Sequence, residues 1–313
     1  MAISLRKNKH SGNVGLDIDD GFLAAAEVSD GVLSRTVSTA LPIGLSSEGE
    51  VTDPQGLGES IKEFFRRQAL PRSVRLGVAN QQIVVRQIEI PRVENDRERD
   101  AAVRFQAAEA VPMPLEDAIL DYQLIERVSI GDSERERMVV VAARKSMIEQ
   151  LLEASRAAGL KVEGIDLNAF ALVRTLAAAE VDAESQGEKA RVYCHLGGMT
   201  NLAIAVGSTC VFTRPLTTSW DADDAEIASS LAEDIRLSID FHSNLPGART
   251  VADVVLSGPG AQREGLLYAL DGLIGRPVTV AQPLGTLPAY PMPPDEDPHR
   301  YTVAAGLALG AAA

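Results

Sequence analysis

Short runs that alternate between apolar and polar residues take turns along the chain with longer runs of period three to four, the pattern of strands interleaved with helices. Residues 14–33, Val-Gly-Leu-Asp-Ile-Asp-Asp-Gly-Phe-Leu-Ala-Ala-Ala-Glu-Val-Ser-Asp-Gly-Val-Leu, read as three strands joined by two glycine-bearing turns. Residues 192–212, Val-Tyr-Cys-His-Leu-Gly-Gly-Met-Thr-Asn-Leu-Ala-Ile-Ala-Val-Gly-Ser-Thr-Cys-Val-Phe, repeat that plan, and Leu23 to Leu33 spans the same interval as Leu202 to Phe212. Glycine tolerates the positive φ such turns need. Two meanders opening two halves of a chain predict a duplicated fold with a cleft between its lobes.

Between and after the meanders the spacing predicts further elements. Asp53 followed by Pro54 starts a helix over 53–67, and Asn95 or Asp96 starts another that Val-Pro-Met-Pro stops at 111–114. Helices are also expected over 146–158, 168–179, 224–244 and 262–274, with a small-residue helix from Thr302. Strands are expected over 73–78, 82–90, 118–126, 137–143, 161–165, 251–257 and 276–280. The polar segment 181–190 reads as an inter-lobe linker, and 282–298 as a proline-rich loop.

A formal net charge of -14 makes phosphate backbones poor partners, so no nucleic acid is expected. No stretch approaches the roughly 18 consecutive apolar residues that cross a bilayer, and the first ten residues lack a signal-peptide apolar run. The expectation is a cytoplasmic protein with no transmembrane segment of its own, unless a partner holds it at a membrane. Arg6, Lys7 and Lys9 could touch anionic lipid. Cys194 and Cys210 fall on the first and third strands of the second meander, roughly 9–10 Å apart, which predicts two buried reduced thiols.

Several segments together resemble the PilM family of type IV pilus assembly proteins, within the actin/Hsp70/sugar-kinase superfamily. They are Gly-Leu-Asp-Ile at 15–18, Gln-Ile-Glu-Ile-Pro at 87–91 and Phe-Gln-Ala-Ala-Glu-Ala-Val-Pro-Met-Pro at 105–114. Leu-Asp-Tyr-Gln at 120–123, Val-Val-Ala-Ala-Arg-Lys at 140–145 and Ala-Gly-Leu-Lys-Val at 158–162 follow. Asp-Ile-Arg-Leu-Ser-Ile-Asp-Phe at 234–241 and Leu-Ser-Gly-Pro-Gly-Ala at 256–261 complete the set. No one segment is specific; their order and spacing carry the resemblance. It implies an α/β, bilobal, actin-like (ribonuclease H-like) fold. The first lobe would span 11–180 with an inserted small β/α subdomain near 79–144, and a reduced second lobe would span 191–313.

The resemblance also implies a scaffold that binds the N-terminal cytoplasmic peptide of a PilN-like inner-membrane protein and links it to pilus motor and platform components. The groove is expected between the inserted subdomain and the sheet of the first meander, with Arg86, Arg104, Phe105, Met113 and Arg144 as candidate contacts. Guanidinium forks suit carboxylates and peptide carbonyls.

In the superfamily, ATP with Mg2+ sits between the lobes. The matching positions here are Asp17 (the metal-type carboxylate), Gly21, Gly197, Gly198, Thr200, Glu233, Arg236, Gly258 and Gly260. Three departures argue against a working site. Asp19 and Asp20 stand in the first turn, with Ala24 in place of a lysine; His195 replaces an expected aspartate; and the Arg214–Asp224 connection is too short for an adenine-covering subdomain. Added carboxylates beside a phosphate are unfavourable by several kcal/mol at short range. The expectation is a degenerate site with no tightly bound cofactor and no catalytic residues. The enzyme alternative is an active actin-like ATPase or small-molecule kinase of the same superfamily. A third reading, a filament protein resembling FtsA, would need an amphipathic membrane-binding tail that 306–313 does not supply.

Overall fold

The computed structural model describes residues 13–29, 32–130, 133–177, 189–216, 218, 223–282, 284 and 296–310. The basic N-terminus, the linker over 181–188 and most of the proline-rich segment lie outside the described residues.

The first meander forms β1 (Asn13–Ile18), β2 (Phe22–Ser29) and β3 (Val32–Ala40), and a two-residue ladder follows, β4 (Ser46–Ser47) with β5 (Glu50–Val51). Helix α1 (Pro54–Gln68) starts where Asp53 Oδ1 accepts the Gly56 N–H at 3.0 Å, and it ends at Ala69 in the left-handed region. β6 (Ser73–Val78) and β10 (Lys161–Leu167) add in parallel to β1, giving the order β10-β6-β1-β2-β3.

The second meander, β11 (Ala190–His195), β12 (Thr200–Val206) and β13 (Thr209–Leu216), does the same with β14 (Val251–Ser257) and β15 (Val278–Val280). The order β15-β14-β11-β12-β13 matches the first sheet strand for strand, with the same two antiparallel and two parallel pairings. The expected duplication is therefore present as a repeated topology. Helix α5 (Asp224–Ser243), capped by Asp223, and α6 (Leu266–Ile274) bury one face of this sheet. α6 starts four residues later than the sequence pattern predicts, because 259–262 forms a 3-10 turn and Gly265 sits at φ +80°.

Between β6 and β10 the chain builds a third sheet, ordered β7-β9-β8, from β7 (Ile83–Pro91), β8 (Ala118–Ile130) and β9 (Ser133–Arg144). Helix α2 (Asp96–Ala110), capped by Asn95, covers one face through Val103 and Ala107 against Ile88, Met138 and Val140. The other face, with Val85, Val139 and Val141, joins the core of the first lobe beside α1 and α3 (Lys145–Ala157). The β8–β9 hairpin reaches residues 130 and 133, well beyond the strands the sequence suggested. Ion pairs explain the extension: fully buried Glu136 receives Arg99 at 2.9 Å and Arg127 at 3.4 Å. Burial would raise the Glu136 pKa, but the bonds from those two arginines outweigh it and hold the carboxyl below its usual range.

Two helices bind the lobes. α4 (Asn168–Ala177), which follows the last strand of the first sheet, packs on the second sheet against Tyr193, Ala203 and Val255. α7 (Thr302–Leu309), which follows the second sheet, packs on the first through Ala304, Ala305 and Ala308 against Ala24, Ala26 and Val28. The two helices cross where Gly306 meets the Ala171 backbone, and Gly15 of β1 touches the α7 backbone in the same way. That explains the small-residue sequence: only residues without bulk let backbones approach so closely.

Cys194 and Cys210 lie on β11 and β13 with β12 between them, both buried and free, as expected; burial pushes each thiol up to about 12. No helix among the described residues is long and apolar enough to cross a membrane.

Candidate functional site

The turns of the two meanders face each other across the cleft. Asp17, at the end of β1, is 2% exposed and accepts a hydrogen bond from Asn168 Nδ2 at 3.2 Å. Burial and then the nearby Asp19 charge raise its pKa well above the usual carboxylate range; the Asn168 bond opposes them. Asp19 reaches across to the second turn, where its Oδ2 accepts the Gly198 N–H at 2.8 Å and its Oδ1 the Met199 N–H at 3.2 Å. Its pKa too is raised, by burial first, against those backbone bonds. The cavity between the turns, bounded by Asp17, Asp19, Asn168, His195 and Asn201, is about 30 Å³. That holds about one water. Ligand pockets run to about 300–1,000 Å³.

The other nucleotide-type positions divide between packed and exposed sites. Gly258, at φ +86°, presses on the Leu196 backbone, and the Gly260 N–H donates to the Leu196 carbonyl at 2.8 Å. A Cβ at Gly258 would lie 2.7 Å from Leu196 main-chain atoms. Thr200 is buried, with Oγ1 2.8 Å from Thr218 Oγ1. Gly21 borders open space in the first turn. Glu233 and Arg236 are exposed on α5, and Arg236 donates to the Leu273 carbonyl of α6 at 3.2 Å. His195 ends β11, buried, and its Nδ1 has no hydrogen-bond partner among the described residues. Burial, then the neighbouring His299, lowers its pKa to about 4, so it is a neutral imidazole at physiological pH. The Asp19 carboxylate thus takes the Gly198 and Met199 N–H groups of the second turn, beside a small cavity. No cluster of three metal-ligating side chains occurs among the described residues.

A larger opening lies elsewhere. β7 is the edge of the inserted sheet and β13 the edge of the second sheet, and between them runs a groove of about 690 Å³. Ile83, Val84, Phe212, Leu216, Leu237 and Phe241 give it an apolar lining. Leu237 and Phe241 are about half exposed. Arg86 stands in this groove, and Arg214 pairs there with Asp234 at 3.2 Å. Gln87 Nε2 bridges the two edges by donating to the Val211 carbonyl at 2.9 Å.

Of the other partner candidates, Met113 follows the groove-lining Pro112 and packs partly into the α2 core. Arg104 and Phe105 are exposed on α2, Phe105 by 69%. Arg144 is exposed at the end of β9, paired in register with Ala118. Between the inserted sheet and the first sheet, where the sequence placed a groove, Val85, Val139 and Val141 join the first-lobe core, and a small pocket lined by Val78, Ile83 and Leu167 remains. Sequence reasoning missed the groove residues of β13 and α5; their one signal was apolar Leu237 and Phe241 on a helix face otherwise charged.

Two topologically equivalent mixed five-stranded sheets, with turns opposed across a cleft and terminal helices exchanged between them, define an actin-like ATPase fold. The chain belongs to the family described as type IV pilus assembly protein PilM, whose sequence profile matches residues 15–218, more than half of its length. Its fold is similar to that of a PilM-PilN type IV pilus biogenesis complex, at 25% identity and a TM-score of 0.82 over 96% of this chain and 98% of that one. Ethanolamine utilization protein EutJ from Carboxydothermus hydrogenoformans shares the fold at 11% identity and a TM-score of 0.56, over 97% and 91% of the two chains. An inorganic polyphosphate/ATP-glucomannokinase from Arthrobacter sp. strain KM does so at 12% identity and 0.50, over 96% and 98%.

Proposed function

We propose that this PilM-family protein is a cytoplasmic scaffold that captures the N-terminal peptide of a PilN-like inner-membrane protein on its inserted sheet, and so sits at the inner face of the membrane. Pilus motor and platform components would then assemble on it. The observation that carries this reading is the open groove between the edges of β7 and β13, with Arg86 among its lining residues. A free strand edge gives an extended peptide main-chain hydrogen bonds, and the apolar lining gives its side chains pockets. The similarity to a solved PilM-PilN complex supports the choice of partner. Arg144, Met113, Arg104 and Phe105 surround the same sheet and extend the surface along α2.

Fluorescence anisotropy with a labelled PilN-type N-terminal peptide tests this. Wild type is expected to bind at tens of micromolar or tighter, and Arg86→Ala and Arg144→Ala to weaken binding by about 1–3 kcal/mol each through lost charge-assisted bonds. No binding by the wild type would remove the mechanism. A loss with Arg144→Ala but none with Arg86→Ala would move the peptide from the β7 groove onto the α2 side.

The same reading treats the cleft as a degenerate nucleotide site. The small cavity, the Asp19 carboxylate on the second turn and the neutral His195 all support that. Calorimetry with ATP and Mg2+ is expected to show no heat of binding up to millimolar nucleotide; micromolar affinity or turnover would favour the ATPase or kinase alternative.

A further inference from the structure

Asp19 and Asp20 are neighbours in the β1–β2 turn, yet they bond to different parts of the molecule. The Asp19 carboxylate spans two successive N–H groups of the second turn, those of Gly198 and Met199, and its orientation is fixed by the Asp20 N–H at 2.9 Å. Asp20 Oδ2 instead accepts the Glu48 N–H at 2.8 Å, in the turn between β4 and β5. The Glu48 carbonyl accepts from Asn80 Nδ2 at 2.7 Å. Asn80 Oδ1 in turn accepts the Gln82 N–H at 2.6 Å, and its carbonyl takes the Ile83 N–H at 3.1 Å, where β7 begins. A continuous run of hydrogen bonds therefore links the second lobe, the first turn, the 48–49 turn and the root of the inserted sheet.

We propose that the Asp19–Asp20 pair is a built-in fastener holding the two lobes and the root of the inserted sheet in one arrangement, with the Asp19 carboxyl seated on the N–H groups of the second turn. Converging backbone N–H groups favour an anion, and bonds to a carboxylate are stronger than neutral ones. The local sequence is shaped to admit it. A Cβ at Gly197 or Gly198 would come within 2.7 and 2.6 Å of the Asp19 carboxylate, so the two glycines let it close on the turn. Glu48 holds a left-handed φ of +52°, which is unfavourable for a non-glycine residue. Asp20 and Asn80 grip both its N–H and its carbonyl and keep it there. The fastener is independent of whether the inserted sheet binds a peptide.

Residue-resolved amide hydrogen exchange on the full chain tests it. Asp19→Ala is expected to speed exchange at Gly198 and Met199 by about tenfold or more, with α1 amides unchanged. Asp20→Ala is expected to do the same at Glu48 and leave Gly198 alone. Unchanged exchange at Gly198 and Met199 in Asp19→Ala overturns the proposal. If Asp19→Ala also loosens α1, Asp19→Asn, which keeps one acceptor and the shape, decides: a smaller rise confined to Gly198 and Met199 supports the fastener, and no rise there removes it. Peptide anisotropy reads a different surface, so either proposal can fail alone.

Discussion

Gly306→Ala is expected to destabilise the protein by about 3 kcal/mol, although alanine is the better helix former by about 1 kcal/mol. The added Cβ would stand 1.9 Å from the Ala171 carbonyl oxygen and 2.6 Å from Thr175 Oγ1. Neither neighbour can yield cheaply. The first is helix backbone, and the second holds both the Ala171 carbonyl at 3.1 Å and the Thr302 carbonyl at 2.8 Å. Relief requires α4 and α7 to separate, which loosens each helix from the sheet of the opposite lobe. Gly272→Ala in α6 supplies the contrast, since nothing lies within 4 Å of its Cβ. There the helix-propensity gain should appear as a stabilisation of about 0.5–1 kcal/mol. Urea denaturation of both variants measures the pair. Equal signs would show that the crossing does not limit the fold.

Asp17→Asn is expected to stabilise the protein at pH 7, by about 1–3 kcal/mol, the usual scale for a poorly satisfied buried polar group. Among the described residues, Asp17 is a buried carboxyl with a single bond at 3.2 Å and an acidic neighbour, and Asn168 Oδ1 beside it is buried without a partner. The new amide could donate to that oxygen. Because burial raises the folded-state pKa above the unfolded value, the folded protein binds the Asp17 proton more tightly. The stability that proton supports is present at low pH and fades as pH rises through the folded pKa. The advantage of Asp17→Asn should therefore be largest near neutrality and shrink toward pH 4, as the wild-type carboxyl protonates. Thermal melts of both proteins between pH 4 and 8 check this; a difference independent of pH would mean Asp17 carries no buried charge.

Much of the architecture was legible because its signals are local. Asp53 and Asn95 cap helices as their side-chain chemistry requires, and the glycine turns marked both meanders. The β8–β9 hairpin was not legible beyond Glu126. Its outer half is built of arginine and glutamate, which look like a loop until Arg127 and Glu136 are seen to pair across strands. The candidate site failed in a similar way. Asp19 was recognisable as an acid where phosphate chemistry disfavours one, but its bonds run to residues 179 and 180 positions away. Only the closure of two lobes makes that contact. The β7–β13 groove likewise exists because two sheet edges from different lobes stand opposite each other, and no spacing along the chain encodes it.

The exchange of helices between lobes also sets the order in which the protein can fold. Domains generally fold from the N-terminal side as synthesis proceeds, and contacts distant in sequence form late. Here the face of β2 and β3 that carries Ala24, Ala26, Val28 and Leu33 is covered by Tyr301 and Ala304 to Ala308. Tyr301 bonds Ser38 across 263 residues. The nascent first lobe must therefore wait with an open apolar face until residues 298–309 leave the ribosome.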